Sequence, residues 1–163
     1  MMGAHGLWKL VHLLSASVLF GTGIGIAFFA WFGYRRAMAI GEIDGLRAVL
    51  RLTVVADTLF TAPAVVVQLM SGIMLINLNH WSLLSPWSLT VFGLYAAVGA
   101  LWIPVVVVQI LMSREANRAG SIAELRPGFH RRFLAWFALG VPAFLIVVGL
   151  FYLMVAKPLT VIA

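Results

Sequence analysis

Four long apolar runs, at residues 7–32, 53–76, 88–112 and 134–156, constrain this chain more than any other feature. A helix needs about 20 apolar residues to cross a hydrocarbon core of about 30 Å, and each run supplies them. In oil the backbone has only itself to hydrogen-bond with, so each run is expected as a helix. Charged residues make up 10% of the 163 residues, against about 25% in an average soluble domain. That is too few to clothe a water-facing surface, so lipid is the expected solvent. The expected fold is all-α: a polytopic membrane protein, one domain over residues 1–163, with four transmembrane helices in an antiparallel bundle. The first run, Leu7 to Phe32, is longer than a signal-peptide core and ends in Tyr34-Arg35-Arg36 rather than a small-residue cleavage site. It is expected to stay in the membrane.

Charge placement orients the bundle. The connection Gly33–Leu52 carries Arg35, Arg36, Arg47 and Arg51, and the connection Ser113–Phe133 carries Arg114, Arg118, Arg126, Arg131 and Arg132. The middle connection, Asn77–Trp87, has neither Lys nor Arg. Arginine-rich connections stay in the cytoplasm, so both termini and the middle loop are expected outside, in a plasma (inner) membrane. Only Lys9 and Lys157 oppose this assignment. The formal net charge of +6 is thus explained by loops against an anionic leaflet, and no nucleic-acid groove is implied. Glu42-Ile43-Asp44 reads as a helix start, and the SREANRAG segment continues the third run, so the second and third helices are expected to extend into the cytoplasm. Trp8, Trp81 and Trp87 at one end, and Phe133 and Trp136 at the other, read as aromatic belts. With no cysteine, disulfides and thiolate metal sites are excluded.

Polar side chains within hydrocarbon are costly and face the bundle interior, so their positions point to candidate sites. At 100° per residue, Asp57, Thr61, Ala64, Gln68, Ser71 and Gly72 share one side of the second helix. Ser88, Tyr95, Trp102 and Gln109 recur every seven residues as a seam on the third. On the first helix Lys9, His12, Ala16, Gly23 and Ala27 share a face with Ser15 at its edge, and Gly21, Gly23 and Gly25 allow a neighbour to approach closely. The fourth helix, with Gly140, Pro142 and Gly149, reads mostly as packing. By depth these residues form an outer locus of Lys9, His12, His80 and Gln68, and an inner locus of Asp57, Thr61 and Gln109. His12 is either an axial heme ligand, in a five-coordinate site or with His80 or neutral Lys9 opposite it, or a hydrogen-bonded interfacial histidine. Asp57 is either a proton carrier or a structural acceptor paired with Gln109, a backbone group or Arg51. Gln68 and Gln109 read as interhelical hydrogen-bond partners. Pro63, Pro104 and Pro142 each free a backbone carbonyl within a span.

The segments ADTLFTAPAVVVQLMSGIMLI (56–76), LYAAVGALWIPVVVVQILMSR (94–114) and FYLMVAKP (151–158), with the first run LWKLVHLLSASVLFGTGIGIAFF, resemble a family of bacterial four-helix membrane proteins known as domain of unknown function 2269. That resemblance covers nearly the whole chain and implies a class without an activity. More distantly, Lys9-x-x-His12 is similar to the opening of HemJ-type protoporphyrinogen oxidases and copper-resistance D membrane proteins. In the HemJ type the first-helix histidine is implicated in heme binding, which implies a ligand role for His12. The tryptophan seven residues further on in that family is Leu19 here, and the following Pro-Arg pair is absent. The similarity therefore implies heme b binding without porphyrinogen oxidation.

Three functions follow as expectations. The first is a heme-b redox or electron-transfer protein, with His12 on iron and Tyr95 and Trp102 walling the pocket. The second is a small transporter with Asp57, Gln68 and Gln109 along its path. The third is a non-catalytic accessory subunit, a homo-oligomer or part of a larger membrane complex, whose only other partner is membrane lipid. No Walker loop, Rossmann fingerprint, zinc motif or serine-triad signature supports a soluble-enzyme chemistry. The orientation is checked with a protease-cleavable tag at either terminus: in intact cells both tags are expected to be cut from outside, and protection of both would reverse the sidedness.

Overall fold

The structure, a computed structural model, describes residues 3–156. Within them the chain forms four long helices and no strand: α1 (Ala4–Ile40), α2 (Ile43–Leu78), α3 (Pro86–Arg118) and α4 (Phe129–Ala156). All four are long and apolar enough to cross a membrane. Their outer faces are consistent with lipid: Phe29, Val66, Leu145 and Val155 are 69%, 56%, 62% and 85% exposed. Lys157, with the end of the FYLMVAKP segment, lies outside the described residues.

Local chemistry sets where each helix stops. Gly41 ends α1 at φ 70, a left-handed conformation that glycine adopts without a Cβ clash, and its N–H donates to the Ala37 carbonyl. The expected boundary at Gly33 is therefore corrected: Ala37, Met38 and Ala39 favour helix, and the first residue that needs positive φ is Gly41. Glu42 then begins α2, with Asp44 in its first turn complementing the helix dipole. Ser85 caps α3, its Oγ accepting from the Ser88 N–H at 3.2 Å, with Pro86 at the first helical position. Beyond α3, a short 3-10 turn at Ile122–Glu124 leads to Arg126-Pro127-Gly128, where the Phe129 N–H donates to the Arg126 carbonyl at 2.8 Å and starts α4. At 1.5 Å per residue, α1 with its 37 residues is about 55 Å long. Projection beyond the hydrocarbon at the arginine end is thus shared by α1 with α2 and α3.

The helices pair as two hairpins, α1 with α2 and α3 with α4, clamped together at the arginine end. The core lies there: Tyr34, Ala37, Leu46, Leu50, Met112, Ala116, Phe129 and Phe133 form one buried cluster. The Tyr34 and Phe133 rings stack at 3.9 Å between centroids. The Tyr34 hydroxyl and His130 Nδ1 share a hydrogen bond of 2.7 Å, which ties α1 to α4. Arg47 of α2 donates from Nε to the Ala116 carbonyl at 3.0 Å and from Nη2 to the Ala119 carbonyl. Those carbonyls are among the orphan acceptors that close α3, so one side chain both caps a helix and joins the hairpins.

Two aromatic assignments are corrected by burial. Phe133 and Trp136 are 1% and 5% exposed and belong to the core, because Phe133 stacks against Trp31 and Tyr34 of α1 and against Trp136. Trp87 is also buried, and its indole N–H donates to the Leu153 carbonyl at 3.2 Å, joining α3 to α4 at the other end.

Glycine placement is corrected as well. A Cβ at Gly21, Gly23 or Gly25 would meet nothing within 4 Å, so these residues do not mediate close packing. Gly33 does, because a Cβ there would drive into the Val49 side chain. Gly33→Leu is expected to destabilise the bundle by about 1–3 kcal/mol through overpacking. Gly21→Ala is expected to be neutral or to stabilise by up to about 1 kcal/mol through helix propensity. Thermal inactivation of the detergent-solubilised variants checks both.

Candidate intramembrane binding site

Two polar constellations sit within the bundle, and they differ in one respect: the first is internally satisfied and the second is not.

The first joins α1 to α2. Gln68 Nε2 donates to His12 Nε2 at 3.0 Å, which leaves Nδ1 to carry the ring proton and to donate to Ser71 Oγ at 2.9 Å. Ser71 passes its own proton to the Val67 carbonyl at 2.6 Å. On the other flank the Ser15 hydroxyl lies within hydrogen-bond reach of Gln68 Oε1 and of the His12 carbonyl. Gly72 makes the room: a Cβ there would lie 3.3 Å from His12 Cε1. With both ring nitrogens bonded, iron could reach the imidazole only by displacing Ser71 or Gln68. His80 does not complete a ligand pair. It lies in the loop after α2 at φ 56, eight residues and about 12 Å of helix beyond Gly72. Lys9 is exposed and makes no hydrogen bond among the described residues. In this arrangement His12 is a hydrogen-bonded histidine with both ring nitrogens engaged.

The second constellation surrounds a chamber of about 480 Å³ between the two hairpins, just beyond the aromatic core. Its wall is almost wholly apolar, with Asp57 and Thr61 from α2 and Tyr95 and Trp102 from α3 as the polar contributors. A π-helical turn at Asp57–Thr61 presents the α2 pair. There the Ala62 N–H bonds five residues back to the Asp57 carbonyl. Pro63, which follows directly, cannot donate and crowds the carbonyl four residues before it, so the widened turn relieves both problems. The extra residue also splits the expected polar side of α2. Asp57 and Thr61 turn to the chamber, while Gln68 and Ser71 turn to α1.

The heptad seam of α3 points inward as expected, yet its members serve different neighbours. Ser88 donates to the Ser82 carbonyl at 2.9 Å, and Tyr95 crosses to the Val65 carbonyl of α2 at 2.6 Å. Gln109 accepts from the Trp136 indole at 3.1 Å, so the expected Asp57–Gln109 pair does not form, and Gln109 does not line the chamber. The Asp57 side chain, 7% exposed, has no hydrogen-bond or ionic partner among the described residues. Thr61 Oγ1 and Trp102 Nε1 are likewise buried without partners.

One side of the chamber is framed by α1 and α4. Phe20 meets Phe144 at 5.1 Å and Trp31 meets Phe137 at 4.8 Å. These contacts are about 16 Å apart along α1. Between them lie Gly23, Ala27 and Gly140, and a Cβ at either glycine would touch nothing. The exposed side chains Ile24, Phe28, Val141 and Leu145 border the same gap. The chamber is therefore open on this side, between α1 and α4. The reading of α4 as mostly packing is refined here, since Gly140 to Leu145 form one jamb of the opening. The missed signal was its small residues facing those of α1, which becomes visible only when the two helices are set side by side.

Four apolar helices, polar groups gathered on their facing sides and a lipid-framed chamber define a polytopic all-α integral membrane protein. The chain belongs to the family described as predicted integral membrane protein (DUF2269), which matches residues 6–158. No curated protein and no solved structure matches it.

The satisfied network makes a measurable prediction. A double-mutant cycle over His12→Ala and Gln68→Ala is expected to return a coupling of about 0.5–2 kcal/mol in unfolding free energy, the range of interhelical hydrogen bonds in membranes. Additive effects would show that the contact carries no stability.

Proposed function

We propose that this protein is a plasma-membrane binding protein for a lipophilic molecule with a small, uncharged, hydrogen-bonding head, such as a quinol or a prenyl alcohol. The arginine-bearing end faces the cytoplasm in this reading. The observation that carries it is the set of unpartnered groups in the chamber. Trp102 offers an N–H with nothing to accept it, Thr61 a hydroxyl with no partner, and Asp57 a carboxyl group with none. A buried polar group without a partner costs about 1–3 kcal/mol, so three around one apolar space favour an occupant that completes them. A hydroxyl on the ligand can donate to Asp57 and accept from Trp102. The apolar tail leaves through the gap between α1 and α4, where no polar group has to be desolvated. Asp57 is also placed to exchange a proton with a bound hydroxyl, which would extend binding to redox or transfer chemistry.

Binding is measured on the purified full-length chain in detergent, by tryptophan quenching with decyl-ubiquinone and its quinol and by displacement of either with farnesol. Saturable binding is expected, weakened about tenfold by Trp102→Phe or Asp57→Asn, as loss of a hydrogen bond worth about 1.4 kcal/mol requires. Gly140→Leu, which fills the gap, is expected to abolish it. Binding indifferent to Gly140→Leu would sink the proposal. A Soret band on added hemin that disappears in His12→Ala would replace it with the cytochrome reading.

A further inference from the structure

A second cavity, of about 330 Å³, opens at the arginine end, away from the chamber. The last turns of α3 supply Leu111, Arg114, Glu115 and Arg118, the following loop supplies Glu124 and Arg126, and the first turn of α4 supplies Arg132. Four guanidinium groups and two carboxylates thus face one small space. Self-neutralisation is the simplest expectation for such a set, and the contacts contradict it.

Both carboxylates are consumed in building the wall. Glu115 accepts from the Arg132 guanidinium through Oε2 and from the Arg126 backbone N–H, at 3.0 Å, through Oε1. Glu124 accepts from the Gly120 N–H at 2.7 Å and from the Ser121 hydroxyl at 3.3 Å. Among the described residues, the Arg114, Arg118 and Arg126 guanidinium groups have neither a carboxylate nor a carbonyl partner. Arg132 Nε, turned away from Glu115, is buried and also unpartnered. The C-terminal end of a helix ordinarily repels anions. Here Arg47 already occupies the Ala116 and Ala119 carbonyls, which removes much of that repulsion. What remains is a concave cluster of donor forks around an empty centre, with the acids acting as struts.

We infer that this cavity binds a phosphate group. Guanidinium forks match the oxygens of a phosphate in pairs, and several together hold a multiply charged oxyanion where isolated surface arginines would not. Leu111 sets the level. It is a half-exposed apolar member of the lining, one helical turn from Glu115, which in this reading sets the cavity where hydrocarbon gives way to headgroups. A phosphate on a membrane lipid reaches the arginines from its own leaflet while its chains lie along Leu111. A free phosphate or diphosphate has the same oxygens and enters from the water.

The test uses the full-length chain in a zwitterionic detergent, titrated with dihexanoyl phosphatidic acid, with dihexanoyl phosphatidylcholine as the neutral-headgroup control, and separately with inorganic pyrophosphate. Phosphatidic acid is expected to bind saturably, and the double variant Arg118→Gln/Arg126→Gln to bind about tenfold more weakly or less. Both positions are exposed and their side chains hold nothing else in place, so the variant folds; an unchanged melting curve verifies it. Arg35→Gln/Arg36→Gln, at the same end but outside the cavity, is expected to change affinity less than about twofold, since apart from the Arg35 contact over the Trp31 ring it removes only screened charge. Pyrophosphate binding with the same arginine dependence, and stronger than that of phosphatidic acid, would keep the site and make its ligand a soluble one. Equal losses in the two double variants would overturn the site in favour of diffuse attraction to an anionic surface. So would the absence of saturable binding for both probes.

Discussion

Everything in this bundle depends on where the helices are clamped. The close stack of Tyr34 on Phe133 and the Arg47 cap on α3 hold the two hairpins together at the arginine end. Moving outward, α1 keeps to α2 and α3 keeps to α4, and contact between the hairpins thins to points such as Tyr95 on the Val65 carbonyl. A bundle closed at one end and held only at scattered points further out, such as Tyr95 on Val65 and Phe20 on Phe144, encloses space in between. The chamber is therefore a consequence of the core's position and not of any unusual helix. In lipid nothing drives such a space to collapse, because the surrounding chains are as apolar as its wall.

The two ends of α3 use their charges for different purposes. Toward the chamber the seam is neutral, and each member but Trp102 reaches a specific acceptor or donor. Past Leu111 the same helix carries Arg114 and Arg118 into a cavity whose acids are already committed. The cavity and the chamber are thus distinct in lining, one rich in arginine and the other almost wholly apolar. Both are lined by α3 and α4, at different levels. Occupancy of one could be felt by the other only through rigid movement of α3 against α4, since no polar chain links them among the described residues.

Much of the architecture was legible because hydrocarbon allows so few solutions: apolar runs of spanning length become helices, and the inward seams of α3 and of His12 with Gln68 follow from helical period. The failures have identifiable causes. Asp57 and Gln68 share a face only on an unbroken helix, and the π turn ahead of Pro63 separates them. Gly21, Gly23 and Gly25 resemble a packing motif, but whether a glycine meets a neighbour depends on the crossing of two helices; here Gly33 meets Val49 instead. Phe133 and Trp136 resemble an interfacial belt when helix length is equated with bilayer thickness. Once α1 and α4 are seen to run further, both rings fall in the core. The chamber had no local signature, being made of gaps contributed by four helices.

The contrast between the two polar loci bears on what the bundle is for. If its polar residues served cohesion alone, each should resemble the His12 locus, where Gln68, Ser71 and Ser15 leave no ring nitrogen idle. A purely structural bundle would lose nothing by carrying valine at Thr61, phenylalanine at Trp102 and leucine at Asp57. An acidic side chain within a span is costly, and no internal bond among the described residues offsets it here. These three side chains converge on one space that lipid can reach from the side. Cohesion does not explain that convergence, whereas the proposed hydroxyl-bearing ligand would, because it can donate to Asp57 and accept from Trp102.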